Sequence, residues 1–213
     1  MKNIKEFIPS LLGLILSIIA FVVYVITTEK ILPLTCVQIF VVPLLLFIIQ
    51  GLNWTNKIRI PIVFQYLLCI HLVLALILGS GFDFYDKFSW WDLLLHGYFG
   101  FLFSFLVFII LFNYDGEKMK PILFLVIIFF ITMGAAGLWE IYEFTMDRLL
   151  NGDAQRIQES IAQGHTPVYD TMMDLIIAIS GILGFYAILF VDKCHNYRIS
   201  KYIYKAIKKE NKE

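Results

Sequence analysis

Three pairs of side chains carry the chemistry that this sequence offers: Asp92 and His96, Glu140 and Glu143, Asp170 and Asp174. On helices the i,i+4 and i,i+3 spacings put both members of each pair on one face. Carboxylates with an imidazole, projected from neighbouring helices, are a donor set that helical bundles use for divalent metals. The mix suits zinc, manganese, iron or magnesium and does not choose among them. All six residues are therefore candidate ligands of a divalent metal ion. Five carboxylates crowded into a poorly hydrated place cannot all stay ionised, so protons or bound cations must neutralise some of them. If a metal activates water there, Glu140 or Glu143 is placed to act as general base and His96 as ligand or acid. Two simpler accounts compete. Asp92 and Asp170 can be helix N-caps, and Arg148 and Arg156 can make the cluster a salt-bridge network.

The elements that position these pairs follow from composition. Of 213 residues 60% are hydrophobic and 16% charged, with zero net charge. A soluble domain is nearer half apolar and a quarter charged. An ordinary cytosolic enzyme, a disordered chain, a coiled coil and a nucleic-acid binder are excluded. A helix needs about 20 apolar residues to cross a bilayer. Six stretches, about 8–27, 33–52, 60–80, 92–112, 121–144 and 170–191, meet or approach that length. In lipid each must satisfy its own backbone, so each is helical. The expected fold is an all-α, six-helix transmembrane bundle over 1–192 in the cell membrane, followed by a basic tail over 193–213.

Lysine and arginine orient it. With the N-terminus in the cytoplasm, the inner segments hold Lys2, Lys5, Lys57, Arg59, Lys118, Lys120 and the seven cations of the tail. The outer segments hold only Lys30, Lys87, Arg148 and Arg156. Both termini are then cytoplasmic, and all three pairs fall at the outer ends of their helices. The expectation is that Asp92, His96, Glu140 and Asp174 approach a common centre within about 8 Å, a span that also takes two ions about 4 Å apart. Glu143 and Asp170 stand at its edge.

Other features read as structural. The outer loop 145–169 is long enough to act as a lid, and it reads equally well as an interfacial helix that merely covers the bundle. Asp153 can cap a short helix running to Gln163, with Ile157 and Ile161 facing inward and Gln155, Gln158 and His165 above the cluster. Trp90 and Trp91 read as an interfacial aromatic belt. The tail reads as a basic helix on anionic headgroups. His71, mid-span, reads as a histidine bonded to a neighbouring helix. Gly13/Ser17, Gly100/Ser104 and Ser180/Gly184 have the small-residue spacing of close helix packing. Cys36, Cys69 and Cys194 form no disulfide or zinc pattern. The sequon Asn53-Trp54-Thr55 lies on the cytoplasmic side and is discounted.

Trp91-Asp92-x3-His96-Gly97, Trp139-Glu140-x2-Glu143 and Asp170-Thr171-x2-Asp174-Leu175, followed by Gly181 and Gly184, resemble the YjdF-like family of bacterial inner-membrane proteins over roughly residues 90–184. The pattern is more distantly similar to the VanZ-like family, with different spacing and a different loop. The VanZ-like resemblance implies a role at the cell envelope. The YjdF-like one implies no particular activity.

Three functions fit these residues. One is a metal-dependent hydrolase or transferase acting on a lipid-linked or envelope substrate. Another is an ion- or proton-coupled carrier, against which stand the lack of inverted repeats and of acids in the inner half. The third is a structural or assembly protein whose cluster only ties helices together.

Overall fold

The computed structural model describes residues 4–29, 31–55, 58–150 and 152–208. Lys2, Lys30, Lys57, Lys209 and Lys212, used above for orientation, lie outside them. Among the described residues all regular secondary structure is helical, without strands. Six helices are long and apolar enough to cross a membrane: Lys5–Thr27, Pro33–Trp54, Ile62–Gly81, Trp91–Asn113, Pro121–Leu150 and Tyr169–Cys194. This is a multi-pass membrane protein. Its large apolar side chains are widely exposed, as at Ile122, Phe130 and Leu138. That surface suits lipid, where an apolar exterior carries no hydration penalty.

Two compact units form along the chain. The first comprises residues 1–91, 109–115 and 198–213. In it α1 (Ile8–Thr27) and α2 (Pro33–Trp54) pack with α3 (Ile62–Leu72) around Ala20, Tyr24, Ile39, Val42, Leu46, Cys69 and Leu72. Gly13 allows the approach of Leu46, and the Ser17 hydroxyl donates to the Ile39 carbonyl at 2.8 Å. This small-residue pair does pack as its spacing predicts. The third span is not uniform. After α3, which carries His71, the helix widens into π geometry over Val73–Gly81. Gly79 sits there against the Tyr85 ring, where a Cβ would overlap it. Tyr85 belongs to the short α4 (Phe84–Lys87).

Trp90 is exposed, but Trp91 is buried, with its ring 4.9 Å from that of Phe84 and 6.3 Å from that of Phe88. Only one of the two tryptophans is free for an interfacial belt, because α4 folds its aromatic side chains over the other. Asn53 is engaged as well. It accepts from the Ile60 amide at 2.7 Å and donates to the Ile60 carbonyl at 3.1 Å, closing the loop into α3.

The second unit comprises residues 92–108 and 116–197. It contains most of α5 (Trp91–Asn113), all of α6 (Pro121–Leu150), the short α7 (Ile157–Ala162) and α8 (Tyr169–Cys194). Phe101, Phe105 and Phe108 of α5 pack around Phe185 of α8, with centroids 5.7–5.9 Å apart. The helices α5 and α8 touch through backbone. A Cβ on Gly100 would collide with the Ala178 carbonyl, and one on Gly181 with the Gly97 carbonyl. Gly100/Ser104 is thus a true packing pair. Ser180/Gly184 is not: Ser180 is exposed, its hydroxyl donates within its own helix to Ile177, and a Cβ on Gly184 would meet nothing.

Helix α6 runs to Leu150 rather than stopping near residue 144. Beyond Gly137 no glycine or proline occurs until Gly152, so nothing ends the helix near residue 144. Its 30 residues span roughly 45 Å, longer than a hydrocarbon core of about 30 Å.

Candidate metal centre

His96 stands one helical turn into α5, and the acids are arranged around its ring. Its Nε2 lies 3.5 Å from Asp92 Oδ1 and 3.8 Å from Asp174 Oδ2, while Nδ1 lies 3.7 Å from Glu140 Oε1. Three helices supply these groups: α5 gives Asp92 and His96, α6 gives Glu140, and α8 gives Asp174. Two ligand sets share the imidazole. Asp92, His96 and Asp174 form one, and His96, Glu140 and Glu143 the other, with the ligand atoms of each set within 4.8 Å of one another. Such a grouping can hold a metal ion.

Burial makes the arrangement costly. Asp174 is wholly buried, Glu140 is 5% exposed, His96 6% and Asp92 8%. Both side-chain oxygens of Asp174 and of Glu140 have no hydrogen-bond partner, nor do one oxygen of Glu143 and one of Asp170. The Thr171 hydroxyl neighbours Glu140 but is not in hydrogen-bonding geometry with it. Leaving a buried polar atom unsatisfied costs about 1–3 kcal/mol, and more where it is charged. A bare set of this kind is expected to have a compensating partner.

The two simpler accounts fare differently. Helix α5 starts at Trp91 and α8 at Tyr169, so Asp92 and Asp170 lie inside their first turns, and neither helix has a side-chain capping bond. Capping does not explain them. Among the described residues no lysine or arginine forms a salt bridge with any of the five acids. Arg148 instead lies over the Phe144 ring, 5.5 Å from its centre. Arg156 pairs with Glu159, its Nε 2.7 Å from Oε2, yet stays within Coulombic range of Asp92 and Asp170. It is a longer-range counter-charge.

Five of the six candidates gather in the two ligand sets. Glu143 is closer in than expected, and Trp139 Nε1 orients it with a hydrogen bond of 2.8 Å. Asp170 joins neither set and stays at the edge.

The loop above α6 and α8 departs from expectation. Asp153 does cap a turn, accepting from the Ile157 amide at 2.8 Å and the Gln158 amide at 3.3 Å. The helix that follows is only Ile157–Ala162. Ile157 is half-buried, but Ile161, Gln158 and His165 are exposed, and His165 stacks on Tyr169. The short helix turns Ser160 inward in place of Ile161. Of the three side chains expected above the cluster, Gln155 donates to Thr171 Oγ1 of α8 at 2.9 Å, and His165 meets Tyr169, the first residue of that helix. Two contributors escaped the sequence reading. Asp147 accepts from the Ala154 and Gln155 amides at 2.6 and 3.0 Å and so ties the loop to α6. Glu159 partners Arg156, and only its i,i+3 spacing from that arginine announced it.

The helices and this centre together define a multi-pass membrane protein carrying a buried histidine–carboxylate cluster that can hold a metal ion. The chain belongs to the family described as "Predicted membrane protein (DUF2238)", whose model matches residues 9–195. No curated protein and no solved structure matches it.

Proposed function

We propose that the second unit is a metal centre, and that the protein is a metal-dependent hydrolase or transferase acting on a lipid-linked or cell-envelope substrate. The observation that carries this is the set of unpartnered buried oxygens on Asp174 and Glu140, converging on one imidazole. The donors fit a divalent ion such as zinc, manganese, iron or magnesium. Asp92, His96 and Asp174 would hold one ion, and His96, Glu140 and Glu143 a second or an alternative position, with Asp170 outside. When bound, such an ion supplies Lewis acidity and lowers the pKa of a coordinated water. Glu140 is the candidate base, since its free carboxylate oxygens face the ring. His96 holds the metal or returns a proton. The motif resemblance to YjdF-like and, more distantly, VanZ-like proteins supports an envelope role. Arg156 supports the alternative, a scaffold or carrier whose acids are balanced electrostatically.

Metal content of detergent-purified protein tests this. The expected result is one or two divalent ions per chain in wild type, and at least about a tenfold loss of affinity in Glu140→Gln and in Asp174→Asn. Metal-free wild type, or variants that keep their full complement, would sink it.

We further propose that both termini are cytoplasmic and the cluster lies at the outer face. Reporters fused at the C-terminus and beside Lys118 should then read cytoplasm, and one inserted beside Asp153 should read the outside. A cytoplasmic signal at Asp153 would move the centre to the inner face.

A further inference from the structure

A second feature stands apart from the metal centre. Helix α9 (Arg198–Lys208) belongs to the first unit and rests on the end of α5. Ile203 and Ile207 are each 4% exposed, the Tyr204 ring meets Phe112 edge-on at 6.1 Å, and Lys208 Nζ bonds Asp115 Oδ1 at 2.9 Å. These contacts fix which side of α9 faces the protein. At 100° per residue, Arg198, Lys201, Tyr202 and Lys205 lie along the opposite side, at i, i+3, i+4 and i+7. All four are exposed, and Arg198, Lys201 and Lys205 form no ion pair among the described residues. The helix contains no acidic residue to neutralise them.

We propose that this face binds the headgroups of anionic phospholipids in the leaflet where α5 ends. Two observations choose lipid as the occupant. The helix is anchored to the last turn of a membrane-spanning helix, so a leaflet surface lies beside it. Its three cations flank an exposed tyrosine, an aromatic side chain suited to headgroup depth. Phosphate accepts hydrogen bonds from arginine and lysine, and each such residue near an anionic surface strengthens binding about fivefold. Three together strengthen it about a hundredfold. The anchored Ile203 and Ile207 leave the basic face presented without further folding.

The test is hydrogen–deuterium exchange of segment 198–208 in the full-length protein. It is compared in nanodiscs of pure phosphatidylcholine, in discs with part of the lipid replaced by phosphatidylglycerol, and in discs cut directly from native membranes. Exchange should slow at least about fivefold with phosphatidylglycerol and recover at high salt. The triple variant R198Q/K201Q/K205Q should lose the difference while melting like wild type, because all three side chains are exposed. Equal exchange in the two reconstituted discs would overturn the proposal, whatever the variant does. So would protection that appears only in native-membrane discs, which would assign the face to a protein partner.

Discussion

Chelation should lower the melting temperature of the purified protein by about 5–10 °C, with recovery when the divalent ion is restored. A ligand at a hundred times its Kd stabilises the folded state by about 2.7 kcal/mol. In a chain of this length each kcal/mol is worth about 2–4 °C. The direction follows from the bare oxygens of Asp174 and Glu140. Without a cation, these buried groups must carry charge unpaired or take up protons. Glu140→Gln gives the complementary result. It keeps the shape of the side chain and removes one charge, so the variant should melt near chelated wild type and respond little to chelator. In a purely electrostatic network, chelator would do nothing, and Glu140→Gln would act on stability alone. Differential scanning fluorimetry on wild type and variant, each with and without chelator, separates the two. Identical wild-type melting in both conditions, together with no co-purifying metal, would end the metal reading.

Gly181→Ala should be nearly as damaging although it touches none of the candidate ligands. Gly181 lies two turns beyond Asp174 and meets the carbonyl of Gly97, the residue after His96. A single methyl there collides with backbone, which cannot swing aside as a flexible side chain can. The helices must separate, and overpacking of this kind costs about 1–3 kcal/mol, or roughly 2–12 °C of melting temperature. The separation widens the gap between His96 and Asp174, now 3.8 Å. Metal affinity should fall about 10–100-fold, the range seen when supporting groups of a site are lost. Gly184→Ala is the internal control. A Cβ there meets nothing, so its effect should stay within about 0.5 kcal/mol. Melting and metal titration of the two variants side by side decide the matter: if Gly181→Ala behaves like Gly184→Ala, the close contact of α5 and α8 does not position the site.

The legible part of this protein was whatever the bilayer dictates. Lipid admits only backbones that bond to themselves, so six long apolar runs had to be six helices. The spacings of Asp92/His96, Glu140/Glu143 and Asp170/Asp174 then had to give shared faces. The sequence nominated six ligands and set Glu143 and Asp170 at the edge, but it could not say that Glu143 is drawn in, because spacing sets the face of a helix and not its rotation toward a neighbour. Tertiary packing made that choice. The backbone contact of Gly97 and Gly100 with Gly181 and Ala178 turns His96 toward Asp174, Trp139 draws Glu143 in, and Asp170 is left at the edge. The π segment after Leu72 and the inward Trp91 were equally beyond reach. Each depends on which partner occupies the adjoining space, and a one-dimensional pattern of polarity does not contain that information.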